Sequence, residues 1–147
     1  MILKLVIETL YILILAAIGI WDQRKQKISD KMLVILLIAG IGICFFNPKV
    51  TMAQRLEGAL LFASPLLLSA VIKPGGFGGG DIKLAAIAGM TIGISGVPMA
   101  IMTALVGAAV YGCALVLFQG KKRTDYFAFG PFLCIGIILV FVYQIIG

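Results

Sequence analysis

The chain has 147 residues, of which 62% are hydrophobic and only 12% charged, and its mean hydropathy is +1.17. A soluble domain is closer to a quarter charged, so the composition excludes a separate soluble domain and predicts an integral membrane protein. Histidine is absent, which excludes Ser-His and Cys-His catalysis and His-ligated zinc. The net charge of +6 is scattered among apolar segments, so it indicates orientation in the membrane rather than nucleic-acid binding.

Six apolar segments predict an all-α, polytopic membrane protein with six transmembrane helices, forming one domain over residues 1–147. The predicted spans cover approximately residues 5–21, 30–46, 51–72, 81–94, 99–118 and 128–146. The three cysteines lie inside these segments without a C-x-x-C pair. We therefore expect small buried hydrophobic residues there, with no disulfide framework, no metal site and no cofactor.

Local signals mark several helix ends. Ser29 or Asp30 can cap the second span. Thr51 and Gln54 have the spacing of a capping box at the start of the third. The segment Ser-Gly-Val-Pro at 95–98 predicts a tight turn between the fourth and fifth spans.

Residues 73–83 read KPGGFGGGDIK and lie between two apolar segments. Five glycines and a proline in seven positions predict irregular backbone, which membranes tolerate only where it is buried in protein or lines a wet cavity. The following apolar run is short, so this span should begin inside the protein, with Asp81 recessed below the membrane surface. A carboxylate at that depth is costly and is therefore a functional candidate.

The fourth span carries small residues at every fourth position, Ala85, Gly89 and Gly93. Such a face permits close helix packing, so this span should be central.

Positive charges are distributed unevenly over the predicted loops. If the segment after the first span is cytoplasmic, that side holds nine lysines and arginines, and the other side holds three, Lys4, Lys49 and Arg55. The positive-inside rule then places both termini outside and both Asp22 and Asp81 toward the cytoplasm.

Asp22 and Asp81 form the best candidate pair among the six acidic residues, because each lies at the edge of an apolar span. Two carboxylates held close together can share one proton, so that one activates water while the other polarises a carbonyl. That is aspartic peptide hydrolysis. Of the other acidic residues on that side, Asp30 is expected to cap a helix and Asp125 to be a solvated loop charge. The simpler interpretation is that Asp22 and Asp81 cap helices or pair with lysines.

Three motifs in order resemble the type IV prepilin peptidase family. Residues 78–81 match its G-x-G-D signature and are followed by an apolar residue and Lys83. Asp22 with Ile-Ser-Asp at 28–30 resembles its first aspartate followed by I-P-N or I-P-D, with serine in place of proline. Residues 129–133, FGPFL, resemble the segment that opens its last span.

The resemblance implies that Asp22 and Asp81 are the catalytic pair of an intramembrane aspartic endopeptidase. It implies cleavage of the basic leader of prepilins or pilin-like precursors at the cytoplasmic face of the cytoplasmic membrane. Gly78, Gly79 and Gly80 would line the cleft. Lys83 could contact substrate or simply extend to the membrane interface.

Longer members of this family also N-methylate the cleaved pilin and carry an N-terminal region with two C-x-x-C pairs. The first span begins within five residues of Met1 and the cysteines are dispersed, so we expect a peptidase without methyltransferase activity. Two alternatives remain: a small transporter, which broken helices and intramembrane carboxylates also fit, and a non-catalytic assembly scaffold. Cleavage of a pilin precursor that depends on Asp81 would distinguish the three.

Overall fold

The computed structural model describes residues 2–74, 78–119 and 128–147. These ranges contain five helices and no strand: α1 Ile2–Lys25, α2 Asp30–Phe46, α3 Met52–Ile72, α4 Gly79–Gln119 and α5 Gly130–Ile146. By length and composition α1, α3 and α4 can each cross a membrane, and α5 is a shorter apolar helix. The all-α, multi-pass prediction is therefore confirmed, whereas the number of six spans stays a prediction.

Helix α4 is divided by a break at Gly93, where φ is 71° and ψ is 170°. This positive φ is a conformation that glycine adopts readily and other residues rarely do. We call residues 79–92 the first arm and residues 94–119 the second arm. The first arm is about 21 Å long at 1.5 Å per residue, shorter than the roughly 30 Å hydrocarbon core of a bilayer. The short fourth span is thus confirmed.

Contacts with α5 show that the second arm runs back beside the first. Asp81, near the start of the first arm, neighbours Gly130 at the start of α5. The amide of Gln144, near the end of α5, donates to the carbonyl of Ile92 at the end of the first arm. The second arm then descends along α5, where Gly107 faces Phe132. The chain therefore folds back at Gly93.

The predicted turn at residues 95–98 is wrong, because these residues are helical. Pro98 is the fifth residue of the second arm and lies inside the helix, where it lacks the N–H for one backbone hydrogen bond. Glycine at position 93 allows the reversal a few residues earlier. The glycine-rich loop also ends sooner than expected, since α4 already begins at Gly79; residues 75–77 lie outside the described residues.

Gly89, one of the small residues of the first arm, packs against α3 as expected. A Cβ added to Gly89 would lie 2.7 Å from the carbonyl carbon of Gly58, so the two backbones are in direct contact. Ala85 is fully buried, and α4 contacts α2, α3 and α5. The prediction of a central helix is confirmed.

Two cap predictions have different outcomes. Thr51 and Gln54 form the complete capping box of α3, with each side chain bonded to the other residue's backbone N–H. Ser29 occupies the N-cap position of α2, but its side chain makes no capping hydrogen bond. Asp30 is not the cap and lies in the first turn of α2.

Arg55, counted from the sequence among the loop charges, is instead buried in the bundle with 3% exposure. Its guanidinium donates to the carbonyls of Cys44 and Asn47 at the end of α2. It also donates to the carbonyls of Met90 and Thr91 at the end of the first arm. A helix terminus leaves its last carbonyls without intrahelical partners and carries partial negative charge. Arg55 therefore ties two helix ends together.

Candidate active site

The two candidate aspartates come from different helices and lie deep in the protein. Asp22 is in the last part of α1, which continues to Lys25 rather than ending before Asp22 as expected. Asp81 is the third residue of α4. Their exposed fractions are 5% and 8%. Buried carboxylates are costly unless they are paired or have a function.

Gly130, the first residue of α5, is where the two carboxylates meet. A Cβ added to Gly130 would collide with Asp22 Oδ2, and it would lie 2.9 Å from Asp22 Cγ and 3.2 Å from Asp81 Oδ1. The backbone amide of Gly130 interacts with the Asp22 carboxylate. The structure therefore brings the predicted pair together against the bare backbone of one residue. That the pair is catalytic stays a prediction.

The carboxylate of Asp81 is only partly satisfied. The Gly78 backbone interacts with it, and the Asp81 N–H donates to the Gly78 carbonyl at 3.0 Å. Its Oδ1 is buried and has no hydrogen-bond partner among the residues that the structure describes. Because an unpaired buried acceptor costs about 1–3 kcal/mol, this oxygen makes Asp81 a candidate functional residue, and its role stays a prediction.

The glycines of the G-x-G-D segment have distinct surroundings. A Cβ on Gly80 would lie 2.8 Å from the Cβ of Ile28, so this glycine lets the segment between α1 and α2 pack against the start of α4. Gly78 borders the Asp81 carboxylate. A Cβ added to Gly79 would have none of the described residues within 4 Å. Any contact of these glycines with a substrate stays a prediction.

Lys83 forms an ion pair with Asp30 at 2.8 Å, and both side chains are mostly exposed. The pair links the start of α2 to the start of α4 next to the aspartates. An exposed pair of this kind contributes about 0–1 kcal/mol, so its main effect is on position. The contact between Lys83 and substrate stays a prediction. Asp125, expected to be a solvated loop charge, lies outside the described residues.

Two further residues of α5 adjoin the pair, and the sequence interpretation assigned them no part in it. Gly130 was considered only within the FGPFL motif, where proline at a first helical turn is favourable. Cys134, one turn later, is buried and close enough to interact electrostatically with both aspartates. The expectation of small buried cysteines is confirmed for Cys134 and is wrong for the other two, since Cys44 is half-buried and Cys113 is exposed. The sequence signal at Gly130 was the motif resemblance, whereas Cys134 lies just beyond that motif.

The model of the type IV leader peptidase family matches residues 9–113, which include both aspartates and the G-x-G-D segment. The chain belongs to the type IV leader peptidase family. Among the described residues no group of three or more His, Cys, Asp or Glu side chains is placed to hold a metal ion, and metal independence stays a prediction.

Several curated relatives are similar over most of the chain, and each is named prepilin leader peptidase/N-methyltransferase. The Bacillus subtilis protein is 28% identical over 96% of this chain and 57% of its own length. The Neisseria gonorrhoeae protein is 32% identical over 82% of this chain and 42% of its own. The Escherichia coli protein is 29% identical over 86% and 58%. The chain thus spans about half the length of these relatives. No solved structure matches.

Proposed function

We propose that this protein is an aspartic endopeptidase that removes the leader peptide from prepilins or pilin-like precursors at the cytoplasmic face of the cytoplasmic membrane. The observation that carries the proposal is the meeting of Asp22 and Asp81 at Gly130. Family membership supports proteolysis, and the names of the relatives support the substrate class.

The two carboxylates can divide the chemistry between them. Two neighbouring buried carboxylates cannot both ionise cheaply, so they share one proton. The ionised aspartate takes a proton from water, and the resulting hydroxide oxygen bonds to the peptide carbonyl carbon. The protonated aspartate donates a hydrogen bond to the carbonyl oxygen. Collapse of the tetrahedral intermediate breaks the C–N bond as the amine nitrogen receives the proton that the first aspartate took from water.

Burial of the two aspartates supports this mechanism. In a site from which water is largely excluded, hydrogen bonds and charges act more strongly on the reacting carbonyl than they do in bulk water. The Gly78 and Gly130 backbones lie against Asp81 and Asp22 respectively. They hold the carboxylates without adding a second charge. The cytoplasmic orientation of this end rests on the distribution of lysine and arginine.

Co-expression with an epitope-tagged pilin precursor tests the proposal through the mobility shift on leader removal. Asp22→Asn and Asp81→Asn should each abolish cleavage, and the double variant should be no worse, because the two residues act as one unit. Asp30→Asn is the matched control, since that carboxylate is exposed and paired with Lys83; it should keep most activity. Cleavage should also survive a chelator. Robust cleavage by either single variant of the pair would refute the assignment.

A further inference from the structure

The end of the first arm is held by side chains from two other helices. A helix end leaves its last carbonyls without partners inside the helix. Arg55 of α3 donates to the carbonyls of Met90 and Thr91. The side-chain amide of Gln144, on α5, donates to the carbonyl of Ile92 at 2.9 Å. Each of these carbonyls therefore has a donor from outside the arm.

Gln144 differs from Arg55 in what it connects to the arm. Arg55 ties the arm to α3 and to the end of α2, and neither of these helices carries Asp22 or Asp81. Gln144 belongs to α5, whose first residue, Gly130, touches both of those carboxylates. The Gln144 bond therefore joins the helix that carries Asp81 to the helix on which the pair meets.

The first arm and α5 run side by side between two contacts. One contact is that of Asp81 with Gly130, and the other is the hydrogen bond between Ile92 and Gln144. At 1.5 Å per residue, the contacts lie about 16 Å apart along the first arm and about 21 Å apart along α5. Because a helix has a fixed rise per residue, a slide of the arm along α5 at one contact is also a slide at the other.

The packing around the Gln144 amide leaves the hydrogen bond to fix that register. A Cβ added to Gly96, in the first turn of the second arm, would lie 2.9 Å from the amide nitrogen of Gln144 and 3.0 Å from Val140 Cγ1. Glycine at position 96 thus leaves room for the amide to reach the Ile92 carbonyl. Apolar contacts such as those of Val140 have no preferred direction, whereas a hydrogen bond has a preferred distance and angle.

We propose that Gln144 is a positioning residue for cleavage: its bond to Ile92 sets the register of the first arm along α5 and thereby places the Asp81 carboxylate beside Asp22. The inference rests on the proposed peptidase function and adds a residue that acts on the pair through the arm. Gln144 lies about 21 Å along α5 from Gly130, so it acts without touching either carboxylate. A misplacement of about 1 Å in a catalytic group can lower the rate about 100-fold.

The test measures kcat and KM in detergent for cleavage of an epitope-tagged pilin precursor, together with the midpoint of thermal unfolding. Gln144→Leu keeps the approximate size of the side chain and removes the donor. It should lower kcat by about tenfold or more and leave KM within about twofold, because the transition state is affected and substrate binding is not.

Val140→Ala is the matched control for a loss of stability. Val140 is buried one turn before Gln144 on α5, and its replacement removes apolar contacts while both partners of the Ile92 bond remain. This variant should unfold at a lower temperature than wild type and keep the wild-type kcat.

The outcomes separate the function from the positioning role. If wild type cleaves no precursor and equals Asp81→Asn, the peptidase function fails and the inference fails with it. If wild type cleaves and Gln144→Leu loses no more kcat than Val140→Ala, the positioning role alone is refuted. If Gln144→Leu does not fold, Gln144→Asn decides, because its amide is one methylene shorter and the side chain stays polar. It should lower kcat with KM unchanged, and a wild-type kcat would overturn the inference.

Discussion

Replacing Gly130 with alanine tests the most specific geometric feature of the site. The added Cβ would lie 2.9 Å from Asp22 Cγ, while ordinary contacts of a Cβ begin at 3.4 Å. Asp22 or the start of α5 must therefore move by at least the difference between these two distances. The contact between the added Cβ and Asp81 Oδ1, at 3.2 Å, must also lengthen. Because both carboxylates are packed against this backbone, relief of one contact displaces the pair.

The size of the effect follows from that displacement. A misplacement of about 1 Å in a catalytic group can lower the rate about 100-fold, and overpacking of a buried site costs about 1–3 kcal/mol. We expect Gly130→Ala to lower kcat for precursor cleavage by one to two orders of magnitude. The folded protein should persist, since this cost is smaller than the stability of a typical domain, about 5–15 kcal/mol.

Gly79→Ala is the matched comparison within the G-x-G-D segment. Its added Cβ meets none of the residues that the structure describes within 4 Å, and alanine in place of a helical glycine stabilises by up to about 1 kcal/mol. Both variants are assayed by single-turnover cleavage of the tagged precursor and by thermal unfolding in detergent. Wild-type cleavage by Gly130→Ala, or an equal loss in Gly79→Ala, would refute the steric reasoning.

Three other predictions concern stability, orientation in the membrane and methylation. Arg55→Met leaves carbonyls at two helix ends without their donor, so it should destabilise the protein by about 3 kcal/mol. The loss is measured as a lower midpoint of thermal unfolding in detergent. Lys83→Met is the control, because it removes only an exposed ion pair and should change the midpoint little. In an otherwise cysteine-free protein in intact cells, an impermeant thiol reagent should label Lys49→Cys and not Lys25→Cys, and the reverse pattern would overturn the orientation. Mass spectrometry of a pilin processed by this protein with methyl donor present should show an unmethylated amino terminus; a mass increase of one methyl group would contradict the expectation drawn from the dispersed cysteines.

Local patterns in the sequence were sufficient for the all-helical architecture and for the choice of the acidic pair as candidates. High hydropathy over some twenty residues predicts a membrane helix. Inside a bilayer, backbone N–H and C=O groups find hydrogen-bond partners only within the helix. The capping box of Thr51 and Gln54 was recognisable because both of its bonds join residues three apart. Asp22 and Asp81 stood out because each borders an apolar span.

The tertiary structure decided what depends on residues far apart in the chain. Proline and serine at 95–98 indicated a turn, yet the chain reverses at Gly93, where glycine adopts the positive φ and Val50 packs beside it. A charge count treats Arg55 as a surface cation, since only the folded bundle brings two helix ends to its guanidinium. Glycine has no side chain, so the residue type at position 130 gave no chemical indication of a role. Its contact with Asp22 and Asp81 arises from the packing of α5 against α1 and α4, and long-range packing leaves no periodic signal in the sequence.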